Sequence, residues 1–117
     1  MVRLINTVYE ILKPLGIPIE WQTRPKIGDC GHAVSFHFFG EGGLLYGDGE
    51  EELEGGTCQI DIFSTTDYTQ LAKQIKNLMK ARGFVPDSMQ ADTIEDIGSM
   101  KLYHKVMTFS YIESEVM

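Results

Sequence analysis

Apolar positions along this chain recur with two different periods, and the alternation between them outlines the elements. Leu4, Ile5, Val8, Ile11, Leu12 and Leu15 follow helical spacing and form one stripe, with Arg3, Asn6, Glu10 and Lys13 mostly on the opposite side. Pro14 disfavours helical geometry at Lys13, and Gly16 follows, which ends the helix there. Residues 17–22 read as a short strand that Pro18 assigns to an edge or makes irregular at its start, and residues 23–31 as a loop. From 33 to 39 the period becomes two: Val34, Phe36 and Phe38 alternate with Ser35 and His37. Cys58, Ile60 and Ile62 alternate in the same way with Gln59 and Asp61. Tyr68, Leu71, Ile75, Leu78 and Met79 return to helical spacing, behind candidate N-caps from Ser64 to Asp67 and ahead of Gly83, a residue suited to a left-handed C-cap. Residues 84–86 suggest a brief strand, 87–99 an acidic loop, 102–112 a long strand with large side chains on both faces, and 113–117 a frayed tail.

Together these elements predict an α+β fold. A single antiparallel sheet of about four strands carries two helices on one face, in the order α-β-β-β-α-β, as one domain over residues 1–117.

Between the second and third strands lies the most unusual stretch of the chain, residues 40–56. It holds seven glycines, six carboxylates and no basic residue. Such a composition buries too little apolar surface to offset its ordering entropy alone. A long segment of this kind inside a compact domain is usually functional or disordered. Two readings stand. Leu44, Leu45 and Tyr46 can pair with residues 50–53 as a hairpin extension around Asp48 and Gly49, a solvated tip. Alternatively the segment is an arm, ordered only when a partner covers it.

Composition narrows the function classes. The chain has 117 residues and a formal net charge of −7, an acidic excess that argues against nucleic-acid binding, which needs clustered basic surface. No apolar run is long enough to span a bilayer, and Asn6, Thr7 and Glu10 interrupt the N-terminal apolar residues too early for a signal peptide. The expectation is a protein folded in a cytoplasm, where Cys30 and Cys58 remain free thiols.

The residue pattern holds no catalytic constellation. Cys30, His32, His37, Cys58 and His104 match no zinc spacing. The glutamate run after Asp48 lacks the alternating oxygen ligands and flanking helices of a calcium loop, although clustered carboxylates bind divalent cations weakly. The glycines at 40, 42 and 43 are followed by no lysine or serine at phosphate-loop spacing. The expectation is no enzyme, no cofactor and no metal site. What remains is charge organisation: Glu41, Asp48, Glu50, Glu51, Glu52 and Glu54 on the arm, and a stripe of Lys73, Lys76 and Lys80 on the second helix. Either both are solvated faces, or they are complementary surfaces for head-to-tail association of identical subunits.

Several stretches taken together carry a resemblance: the N-terminal helix, IEWQTRP at 19–25, VSFHFFGEGG at 34–43, GDGEEELEGG at 47–56, the segment from Cys58 through Phe84, and LYHKVMTFSYIE at 102–113. The chain resembles small phage and prophage proteins of Gram-positive bacteria encoded among head–tail morphogenesis genes. In element order it is most similar to the tail-terminator (tail-completion, tail-to-head joining) proteins of long-tailed phages. That resemblance implies a virion structural protein, made in the host bacterial cytoplasm and placed at the head-proximal end of the tail. There it forms a ring, expected to be a hexamer, that stops growth of the tail tube, contacts the tube protein and meets the head connector. It also implies that the loop at 40–56, with Leu44, Leu45 and Tyr46 among its contacts, faces a lumen through which DNA passes without specific binding. A head-closure or neck protein, and a cytoplasmic acidic module that binds a basic partner, are the alternatives.

Overall fold

A computed structural model of the protein describes residues 2–27, 29–47, 50–87, 91–97 and 100–117; for 41–47, 50–53, 91–92, 94–97 and 100 it describes the backbone path only. The elements are α1 (Val2–Leu12) with a 3-10 turn (Lys13–Leu15), β1 (Ile19–Trp21), β2 (His32–Gly47), β3 (Glu50–Ser64), α2 (Thr69–Ala81), β4 (Val85–Pro86), β5 (Ala91–Ile97), β6 (Met100–Ile112) and α3 (Glu113–Val116). The fold is α+β. The sheet is mixed and runs β1-β2-β3-β6-β4, with β5 also paired to β6. Because β4 pairs with residues 109–110 of β6 and β5 with residues 100–106, the two lie end to end along one edge. The sheet is therefore five strands wide.

Both long helices cover one face. Strand alternation turns Val34, Phe36, Cys58, Ile60, Ile62, Met107 and Phe109 toward them, and these pack with Leu4, Val8, Leu12, Leu71, Ile75 and Met79 in a single core. Aromatic edges set the fit: Tyr9 meets Phe36 at 5.1 Å with rings nearly perpendicular, and Phe38 meets Tyr111 at 5.8 Å. Tyr9 also accepts a hydrogen bond from the Trp21 amide through its hydroxyl (3.1 Å), tying α1 to β1.

The helix ends follow the local signals. Gly16 takes a left-handed φ of 66° and donates to the Lys13 carbonyl. At the end of α2, Gly83 (φ 103°) donates to the Lys80 carbonyl and Phe84 to the Met79 carbonyl. This is the paired bond pattern of a Schellman cap, with Phe84 and Met79 both buried beneath it. At the start of α2, the Asp67 carboxylate accepts hydrogen bonds from the Thr69 amide (2.9 Å) and hydroxyl (2.7 Å).

Three features correct the sequence expectation, and a fourth bears on an alternative it left open. The sheet is not wholly antiparallel, because β1 pairs parallel to β2. Gln22 adopts a left-handed φ of 62°, and the following loop carries the chain over the second sheet face, where Arg24 sits 4.5 Å above the Phe63 ring, before β2 begins beside β1. Part of the expected acidic loop at 87–99 is β5, an edge strand recruited by antiparallel pairing to β6. The expected frayed tail is α3, whose Val116 is buried in the core. Finally, residues 41–47 and 50–54 continue β2 and β3 as a ladder, which supports the hairpin alternative for the arm's backbone.

Candidate functional site

The arm begins at a bulge. Phe39 pairs with Thr57 and Gly42 with Gly55, so Gly40 and Glu41 together face Gly56 alone. Gly40 carries the left-handed φ of 65° that such a bulge requires. Two further register shifts follow, between Gly43 and Leu45 and between Leu45 and Tyr46. Bulges of this kind increase twist and bend a ribbon away from the sheet that feeds it.

Among the described residues, the arm beyond the bulge has two strands and no third. β6 ends where Ile112 pairs with Gly55, and β1 covers β2 only at Val34–Phe36. The molecule measures 59 × 24 × 22 Å, with a radius of gyration of 15.4 Å. A compact chain of this length has about 13 Å. The projecting ribbon accounts for the difference.

Of the sequence-predicted site residues, Glu54 lies exposed at the base of the ribbon. The backbone at Glu41, Leu44, Leu45, Tyr46, Glu50, Glu51 and Glu52 is strand, and their side chains lie outside the described residues, as does Asp48 altogether. Leu45 stands opposite Leu53, Tyr46 opposite Glu51 and Gly47 opposite Glu50. These pairs place the arm's carboxylate-bearing positions on one ribbon.

Lys73, Lys76 and Lys80 are exposed on α2. Lys73 and Lys76 line a hollow of about 290 Å³ between α2 and the β4–β6 edge, together with Ala72, Asp87, Lys105 and Met107. Lys80 does not line it. Sequence reasoning missed Lys105, which the register of β6 brings under the two helix lysines. The signal was present as a lysine in line with Met107 and Phe109, which face the core from the same strand. Asp87 in the same hollow accepts a hydrogen bond from the Ser110 hydroxyl at 2.9 Å.

Among the described residues, the second face of the sheet has no helix over it. The loop after β1 shields Phe63 and, with Lys101 and Leu102, lines another hollow of about 290 Å³. Farther along, Asp61 accepts from the Gln59 side-chain amide (2.8 Å) and lies 3.5 Å from His104 Nε2, while the His104 ring stacks on Phe63 at 4.4 Å. Phe39, at the arm's root, is 45% exposed on this face.

The remaining chemistry-bearing groups are spread apart. Cys30 is exposed and Cys58 is buried, and both are free thiols. Burial pushes the Cys58 thiol far above its ordinary range, so it is not a nucleophile. His32 Nδ1 lies 2.7 Å from the Ser64 hydroxyl, which donates to the Thr66 carbonyl and accepts from the Thr66 amide. His32 is therefore the donor to Ser64, and the group closes the junction from β3 to α2. Among the described residues, no three His, Cys, Asp or Glu side chains gather as a metal-binding group. No protein-family model matches the chain, and no curated protein matches it.

Proposed function

We propose that this chain is a non-enzymatic structural subunit of a phage or prophage virion, a tail-completion or terminator protein that caps the tail tube as a ring and joins it to the head connector. The observation that carries this reading is the two-stranded ribbon of residues 41–47 and 50–54, which among the described residues projects from the domain without a third strand or a helix over it. A two-stranded hairpin is at best marginally stable in water by itself. Its open edges invite pairing, and its dense acidic charge discourages indiscriminate pairing. A ribbon with those properties suits a subunit that stays soluble until a defined neighbour covers it. In a ring the arm's carboxylates that no neighbour covers repel the DNA backbone and keep a conduit from binding the genome. The tail-terminator resemblance supplies the remainder: expected hexameric order, tube and connector as partners, and the head-proximal end of the tail as location.

The direct test adds the purified protein to its tail-tube protein during tube growth, with length read by electron microscopy. Tubes that stop short and carry a ring at one end are the expected result. Unaltered tube lengths with no bound protein would remove the terminator role. Rings bound instead to the connector, with tube growth unaffected, would move the assignment to head closure.

A further inference from the structure

We infer that the hollow lined by Lys73, Lys76 and Lys105 is the receptor for the acidic ribbon of a second copy of this chain. The inference rests on the reading of the protein as a self-assembling subunit, and it names the contact that would make the assembly head-to-tail.

Charge supplies the first reason. Among the described residues, Lys73, Lys76, Lys105 and the carboxylate of Asp87 line one hollow between α2 and β6, with Asp92 the register partner of Lys105 on β5, on a chain whose formal net charge is −7. The ribbon carries Glu50, Glu51, Glu52 and Glu54 within five consecutive residues. Opposed patches of this kind steer encounter and fix orientation. The hollow's polar ring lies over Ala72 and Met107, an apolar floor on which an inserted glutamate stem can rest.

Reach supplies the second. Lys105 pairs with Ile62, whereas the ribbon leaves the sheet where Ile112 pairs with Gly55. Seven strand positions separate them, roughly 23 Å at the usual rise per residue. The ribbon from Gly55 to Glu50 is only five positions long, roughly 17 Å, and it extends away from the hollow. Because the ribbon runs away from the hollow, a ribbon that fills it comes from another copy, and the contact joins two different patches. Such a heterologous contact generates a ring when its rotation closes.

The test uses the full chain in a Cys30→Ser background, since Cys58 is buried. Two variants with one added cysteine each, Glu51→Cys and Lys76→Cys, are mixed under mild oxidation, with Lys13→Cys on α1 replacing Lys76→Cys as the control. Cross-linked dimer should form about tenfold faster in the first mixture than in the control, given a steered contact. Sedimentation should show that Lys73→Glu/Lys76→Glu/Lys105→Glu weakens self-association about tenfold, with recovery when it is mixed with Glu50→Lys/Glu51→Lys/Glu52→Lys. Oligomers that form equally well in the reversed variants, with no preferred cross-link, would overturn this contact and leave the assembling-subunit reading standing. A chain that stays monomeric at every concentration and cross-links at neither position would overturn both. Loss of binding to purified tube protein alone, without change in self-association, would assign the hollow to that partner and overturn the second copy as occupant.

Discussion

Lys105 and Ile62 are register partners across β3 and β6 on the helix-covered face of the sheet. One is wholly buried in the core, and the other opens into the hollow beneath α2. A lysine is tolerated there because the position is only partly buried, so its aliphatic stem covers apolar surface beside Met107 while its charged end lies in the hollow. Replacing Lys105 by Met should therefore change unfolding free energy by no more than about 1 kcal/mol, the range of a partly exposed charge. The same variant should self-associate more weakly. Urea denaturation and sedimentation measure the two effects separately, and a large stability loss with unchanged association would reverse this assignment.

Phe36 is the packing centre of the helix-covered face. It is fully buried, meets Tyr9 and Phe38 edge-on, and pairs in register with Ile60. Phe36→Ala should cost about 3–5 kcal/mol in urea unfolding, because both the transfer energy and the cavity count against it. A cost below about 1 kcal/mol would mean that α1 does not pack here as described.

Gly83 holds two constraints at once. Its φ of 103° is open to glycine but strained for other residues, and an added Cβ would approach the Glu115 carbonyl oxygen to 3.1 Å. Gly83→Ala should destabilise the protein by about 1–2 kcal/mol, the usual cost of a left-handed side-chain-bearing residue. The change should also loosen α3, seen as faster amide exchange at Met117, whose amide donates to the Glu113 carbonyl.

Hydrogen bonds from the Thr69 hydroxyl and amide, assisted by nearby His32, hold the Asp67 carboxyl below its ordinary range. A depressed folded-state pKa contributes stability that is present above the unfolded value, about 4, and is lost as pH falls through the folded value. Asp67→Ala should be less stable than the parent chain at neutral pH, with the difference shrinking below pH about 4. Stability curves at several pH values check this, and a pH-independent gap would mean that the cap's charge plays no part.

Much of the fold was legible because the elements obey one clear period each. The stripes of α1 and α2 and the alternation at 33–39 and 58–64 all correspond to observed elements. β5 was not legible. Its sequence, ADTIEDI, offers no apolar face, and it is a strand through its pairing with β6. α3 was missed because its core contribution is one residue, Val116, packed where Gly83 leaves room. The parallel pairing of β1 depends on where a loop crosses, which composition does not encode. For the candidate site, charge signs were visible from residue types, but convergence of Lys105 with Lys73 and Lys76 needed the sheet register, and Lys80 falls outside the hollow for the same reason.

The central claim is tested most directly by deleting this reading frame from the phage or inducible prophage that carries it and imaging the lysate by electron microscopy. Abnormally long tails without heads are the expected result, since nothing would stop tube growth. Normal, infectious particles would contradict the account.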